Sequence, residues 1–153
     1  MMGTANLANP TNLSRIGNME LIYREEVFAV IGACFEVYNE LGAGFLEDVY
    51  QEALTVELQR RRIPFNPKPK LEIHYKGRLL TKKYEPDFVL HSKILMEIKS
   101  VSALANEHRA QVHNYLKASS FQVGLLVKFG KPRTLEYERI VRSTSFPKDS
   151  QNS

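Results

Sequence analysis

The chain has no tryptophan and a single cysteine, Cys34, and nowhere does it carry a long apolar run. One cysteine rules out an internal disulfide and any cysteine-rich zinc site, and it fits a reducing cytoplasm. Cys34 falls within an apolar helical pattern, which points to a packed thiol rather than a nucleophile. No segment approaches the ~18–20 continuous apolar residues of a membrane-spanning helix. The N-terminus lacks the apolar core of a signal peptide, and Gly3 follows two methionines, so the pattern for N-myristoylation is not met. The expectation is a cytoplasmic, soluble protein. Phosphate-cradling glycine loops of the P-loop and Gly-x-Gly-x-x-Gly kinds are missing, as is a Gly-x-Ser-x-Gly elbow. Of the four histidines, His74 and His91 read as surface strand and turn residues. His108 and His113 would sit about 140° apart on a helix, too far round to share a metal. A histidine-based zinc enzyme is therefore not expected.

What is present is ordinary in bulk and uneven in distribution. The 153 residues, 43% hydrophobic and 25% charged, suffice for one domain with modest tails. Between Arg60 and Lys83 stand nine basic residues (Arg60, Arg61, Arg62, Lys68, Lys70, Lys76, Arg78, Lys82 and Lys83) against the single acid Glu72. That segment carries +8 in a chain of net +4, leaving −4 for the remainder. Two readings fit it: an electrostatic footprint for phosphates, or lysines guarding an exposed strand edge.

Residues 1–19, rich in Asn, Gly, Ser and Thr, read as a flexible extension, and residues 143–153 as a flexible tail. From about Glu20 the spacing of Val27, Phe28, Ile31, Cys34, Phe35, Tyr38 and Leu41 predicts a helix ending at Gly42-Ala43-Gly44. A second helix is expected from Leu46 to Arg62, with Val49, Tyr50, Ala53, Leu54 and Leu58 apolar and Glu47 and Asp48 at its positive end. Pro64, Pro67 and Pro69 forbid its continuation. Leu71–Tyr75 and Arg78–Tyr84 alternate as two strands around a Lys76-Gly77 turn. Ala103–Ser119 reads as a third helix, with Leu104, Val112, Tyr115 and Leu116 facing inward. Phe121–Val127 is apolar enough for a strand covered on both faces, and 134–141 reads as the last strand. The order implies an α/β (α+β) fold, with helices packed over a central mixed sheet.

The stretch that demands explanation is Tyr84–Lys99. Phe88-Val89-Leu90 and Ile94-Leu95-Met96 read as two buried strands about a tight turn at His91-Ser92-Lys93. If Leu90 pairs with Ile94, Asp87 lies opposite Glu97 and Glu85 opposite Lys99, with Glu97 and Lys99 on one face. Facing carboxylates repel unless a cation sits between them, and a divalent metal is the natural candidate. The plainer alternative is an exposed hairpin face with Glu85 or Glu97 paired to Lys99. The apolar neighbours weigh against it, because partly desolvated carboxylates need a partner.

Pro86-Asp87 followed by Glu97-Ile98-Lys99 resembles the Pro-Asp…(Asp/Glu)-x-Lys signature of the PD-(D/E)XK, restriction-endonuclease-like nucleases. Gly44-Phe-Leu-Glu47-Asp-Val-Tyr50 reads Gly-x-x-Glu-x-x-Tyr, and Gln111-Val-His-Asn-Tyr115-Leu116 reads Gln-x-x-x-Tyr-Leu. Together these resemble the small bacterial family named for its GxxExxY motif, over residues 20–142. The resemblance implies a restriction-endonuclease-like core that hydrolyses phosphodiester bonds in DNA or RNA. It also implies that Asp87, Glu97 and the Ile98 carbonyl hold Mg²⁺ or Mn²⁺, with Glu47 as a further acid near the metal. Lys99 would position or deprotonate the attacking water and steady developing charge, while Gln111 and Tyr115 orient water or phosphate. Arg60, Arg61, Arg62, Lys68, Lys70, Lys82 and Lys83 would follow the nucleic-acid backbone. Each residue has a plainer role available: Glu47 as a helix-start acid, Tyr50 as a core tyrosine, Gln111 and Tyr115 as helix packing. Glu85 adds negative charge beside Asp87, and His108 competes for the face of Gln111. A homodimer or partner protein would supply specificity, and a non-cleaving nucleic-acid-binding or protein-interaction module is the competing reading.

Overall fold

A computed structural model describes residues 22–130 and 135–142, so the expected extension and tail lie outside the described residues. Helix α1 (Arg24–Leu41) follows Tyr23 and ends at Gly42, whose φ of 72° is the left-handed conformation that glycine adopts without a Cβ penalty. It buries Val27, Val30, Ile31, Ala33, Cys34, Val37 and Tyr38. Phe28 and Phe35, expected in this stripe, are instead 81% and 42% exposed. At 100° per residue they lie more than about 100° from the middle of the buried arc, which Val30, Ala33 and Val37 occupy instead. Cys34 is fully enclosed, and burial pushes its thiol up to about 12, as expected for a packed side chain.

Helix α2 (Glu47–Arg60) packs Tyr50, Leu54 and Leu58 inward at four-residue steps, and Val49 is left 39% exposed. A short strand β1 (Phe65–Pro67) follows, in a segment where three prolines had argued only against helix. Proline is tolerated there because β1 is an edge strand. Strands β2 (Leu71–Tyr75) and β3 (Arg78–Tyr84) form a separate two-stranded ribbon. The main sheet is completed by β4 (Phe88–Leu90), β5 (Ile94–Lys99), β6 (Val123–Lys128) and β7 (Glu136–Val141), in the order β1-β4-β5-β6-β7. Only β5 and β6 run parallel, which requires a crossover, and helix α3 (Asn106–Ala118) supplies it. The sheet is mixed and flanked by helices, the α+β arrangement expected.

Period-2 alternation gives the sheet two different faces. Phe88, Leu90, Ile94, Met96, Ile98, Val123, Leu125 and Val127 pack with α1 and α2. Val89, Leu95, Leu126 and Ile140 pack with Val112 and Leu116 of α3 and with Tyr84 at the foot of the ribbon. Two residues of close approach hold these layers. A Cβ on Gly124 would lie 2.6 Å from Val112 Cγ1, so α3 rests almost directly on β6. Arg109 of α3 grips Glu138 of β7 through two nitrogens, Nε at 2.7 Å and 3.0 Å and Nη2 at 2.7 Å, the fork geometry that suits a carboxylate.

At Gly130 a Cβ would collide with the backbone carbonyl of Val101, a group that cannot swing aside. Gly130→Ala is therefore expected to destabilise the fold by about 1–3 kcal/mol, the usual range for overpacking. Gly32→Ala, whose nearest neighbour is the far end of the Arg61 side chain, is expected to cost less. Urea unfolding of both variants checks the order.

Candidate active site

The β4–β5 turn uses left-handed backbone at His91 (φ 52°) and Ser92 (φ 59°), and the Lys93 N–H donates to the Leu90 carbonyl at 3.0 Å. This sets the pairs Leu90↔Ile94, Val89↔Leu95 and Phe88↔Met96, so one further step brings Asp87 to Glu97. Asp87 Oδ2 accepts the Ile98 N–H at 2.7 Å, tying the carboxylate to β5. Its backbone is fixed as well: the Asp87 carbonyl accepts from Lys68 N–H at 2.9 Å and from Gln51 Nε2 at 3.2 Å.

Glu97 has the parity of Leu95, so it faces α3 rather than α1, and it is only 7% exposed. The Tyr84 hydroxyl donates to its Oε2, and the Tyr115 ring stacks on Tyr84 with 7° between planes. Burial pushes the Glu97 carboxyl up to about 8. The Tyr84 hydrogen bond pulls the other way, the adjacent Asp87 raises it further by charge and by hydrogen bonding, and Lys99 lowers it. Burial and the Glu97 charge together hold the Tyr84 phenol above its ordinary range, so Tyr84 stays a donor. Lys99 is half-buried at the end of β5, in register with Lys128 of β6. Lys128 is fully buried, its Nζ 3.8 Å from Glu136 Oε1.

Glu47 reaches the same end of β5 from the other side of the sheet. Gly44 takes φ 108°, a region that favours glycine, and the Tyr50 hydroxyl holds the loop by donating to the Gly42 carbonyl and accepting the Phe45 N–H at 3.3 Å. Tyr50 is itself locked in the core, stacked on Phe129 at 4.5 Å. The loop delivers Glu47 Oε2 to the Ser100 N–H at 3.2 Å, one residue past Lys99.

Asp87, Glu97, Lys99 and the Ile98 backbone are thus brought together, with Glu47 adjoining them through Ser100. Among the described residues no group of three or more His, Cys, Asp or Glu side chains lies close enough to share one ion, and Glu47 meets this region through the Ser100 N–H. Gln111 and Tyr115 lie on one face of α3 and line a groove with Glu107, His108, Ala110 and Asn114. His108 lines that groove beside Gln111, and its Nδ1 accepts the Ala105 N–H at 3.0 Å, closing the first turn of α3. The basic residues divide. Lys68, Lys70, Lys82 and Lys83 are exposed on the ribbon and the loop leading into it. Arg60, Arg61 and Arg62 stand at the far end of α2, roughly 20 Å from Glu47, and Arg61 pairs with Glu57 at 2.7 Å.

Three residues of this region escaped sequence reasoning. Tyr84 belongs to no motif; the only hint was that a desolvated Glu97 needs a donor. Gln51 gave no signal. Lys128 had one, a charge closing an otherwise apolar run.

The sequence profile of the PD-(D/E)XK nuclease superfamily matches residues 24–140. The chain belongs to this superfamily. It is also similar to a solved structure titled "Crystal structure of SSO0001", with a TM-score of 0.50 and 23% identity. That match covers 64% of this chain and 51% of the other, about half its length, and shows the fold alone. No curated protein matches. PD-(D/E)XK nucleases typically use divalent metal ions. The donors here suit such an ion, since Asp87, Glu97 and a backbone carbonyl are all oxygen and the paired carboxyls need a positive charge between them to be ionised together.

Because the folded carboxyl titrates near 8 and the unfolded one near 4.5, Glu97 binds more protons folded than unfolded between those values. Its contribution to stability is therefore full below about 4.5 and is lost as pH rises through about 8. Metal-free protein is expected to melt at lower temperature at pH 9 than at pH 6, and Glu97→Gln to flatten that slope. Melting curves in chelator across this range decide it; an unchanged slope in Glu97→Gln removes Glu97 as the cause.

Proposed function

We propose that the chain is a Mg²⁺- or Mn²⁺-dependent nuclease that hydrolyses phosphodiester bonds, of the GxxExxY kind within its superfamily. The observation that carries this reading is Asp87 facing Glu97 at the end of the β4–β5 ladder, with Lys99 on the same face as Glu97. Asp87, Glu97 and the Ile98 carbonyl would hold the ion, with Glu47 beside them. A bound divalent ion would supply positive charge to the phosphate oxygens of the substrate. Lys99 would hold the attacking water by hydrogen bonding and offset negative charge as it develops on phosphorus-bound oxygens. Tyr84 and Ile98 N–H keep the two carboxyl groups aimed. Gln111 and Tyr115 would orient a phosphate entering along the α3 groove. Nucleic acid is the partner this chemistry requires, with a second copy or another protein supplying site choice, in the cytoplasm.

A second reading, a nucleic-acid-binding module that retains the fold without cutting, draws on a specific observation. Both carboxyl groups already have protein donors, and the described residues place no third acid with them.

Incubation with plasmid, single-stranded DNA and RNA in Mg²⁺ or Mn²⁺ separates the two. Cleavage is expected, suppressed by chelator, and reduced on the order of 10²–10³-fold by Asp87→Ala and by Lys99→Ala, the scale of losing one charge-stabilising group. Activity that survives both substitutions sinks the site, and nucleic-acid binding without cleavage by the wild type supports the second reading.

A further inference from the structure

The β2–β3 ribbon stands apart from the main sheet, yet both its legs are tied to the acid pair. On the incoming leg, Lys68 N–H donates to the Asp87 carbonyl at 2.9 Å. On the outgoing leg, Tyr84, paired with Leu71 in the last rung, donates to Glu97. Only this foot is packed, by Leu71, Ile73 and Tyr84. From Arg78 to Lys83 every residue of β3 is exposed. The ribbon is thus a solvent-exposed arm whose foot is the candidate active site.

Its chemistry is that of a polyanion ligand with something to insert. Lys68, Lys70, Lys76, Arg78, Lys82 and Lys83 are all exposed, against one acid, Glu72. The pairs Leu71↔Tyr84 and Tyr75↔Arg78 put Arg78 on the same ribbon face as Tyr84, with Lys82 exposed in the irregular stretch of β3 between them, so cations lead away from the acid pair. At the tip, Tyr75 and Leu79 are 59% and 51% exposed, and Lys76 Nζ lies 5.5 Å from the Tyr75 ring centre. A protein partner would match the apolar tip without using the cation row. A nucleic acid matches both, phosphates to the cations and base edges to the tip.

We infer that the ribbon is an arm that enters the major groove of B-form DNA, so that the substrate of the proposed nuclease site is duplex DNA. The inference rests on that nuclease reading for its choice of substrate. The major groove of DNA admits a two-stranded ribbon, whereas the major groove of an RNA duplex is too deep and narrow for side chains to read. A single strand offers no groove at all. The length of β2 sets the register: four steps from Leu71, opposite Tyr84, to Tyr75, opposite Arg78, span roughly 13 Å, about four base pairs. The tip therefore contacts the duplex within about four base pairs of the phosphate at the acid pair.

The test is binding in chelator, where no cleavage intervenes, of a DNA duplex, an RNA duplex of the same sequence and the single DNA strand. The wild type is expected to prefer the DNA duplex by on the order of tenfold or more and to protect guanine N7 from methylation. Arg78→Ala/Lys82→Ala is expected to weaken DNA binding on the order of tenfold and to flatten the log–log salt dependence by roughly two. Melting curves establish that the double variant stays folded, and the salt slope reports phosphate contacts independently of any loss of fold. Equal affinity for all three nucleic acids, or duplex binding unchanged in the double variant, overturns the inference. Cleavage by the wild type in Mg²⁺ together with ribbon-independent binding defeats the arm and leaves the nuclease reading standing. Ribbon-dependent duplex binding without cleavage does the reverse.

Discussion

Two carboxyl groups held side by side where water is scarce cannot both be ionised without help, and the architecture around Asp87 and Glu97 follows from that constraint. Three separate parts of the chain donate hydrogen bonds into it. Ile98 of β5 and Gln51 of α2 fix the side chain and the backbone of Asp87. Tyr84, from the foot of the ribbon, caps Glu97, and Tyr115 of α3 stacks behind it. Each donor lowers the penalty of burying one polar group. None removes the cost of burying a charge or the repulsion between the acids, so burial first, and Asp87 after it, hold the Glu97 carboxyl well above an ordinary glutamate. A cation between the two acids would offset both.

The Gly44–Glu47–Tyr50 loop acts by mechanics before it acts by charge. Gly44 supplies a backbone angle that other residues resist, Tyr50 clamps the loop to the core, and Glu47 is then directed at the Ser100 amide. The tyrosine is thus a core residue whose hydroxyl holds a loop in place. On the opposite face, Arg109 and Glu138 clamp α3 across the sheet, and Tyr115 of that helix stacks on Tyr84. Glu138 is held below its usual range by that guanidinium. The site is built between two layers that each have their own fastening.

Much of this was legible from local pattern. The β4–β5 register followed from a three-residue turn between two short apolar strands, which pairs Leu90 with Ile94. The fully covered strand β6 announced itself by an unbroken apolar run. Reading failed where several apolar residues competed for one face: Phe28 and Phe35 have the right spacing, yet Val30, Ala33 and Val37 occupy the contact arc. It failed again at β1, where prolines that exclude helix say nothing against a short edge strand.

The sequence by itself determined the α+β order of elements, the pairing of Asp87 with Glu97, the place of Glu47 and Asp48 in the first turn of the second helix and the concentration of positive charge between Arg60 and Lys83. These are consequences of period, turn chemistry and composition, all of them local. Only the tertiary structure decided that Glu97 is buried under Tyr84, that Glu47 is directed at the Ser100 amide, and that the foot of the basic ribbon adjoins Glu97 while Arg60, Arg61 and Arg62 stand at the far end of α2. Burial, electric field and through-space distance depend on which distant segments come to rest together, and no window of sequence contains them.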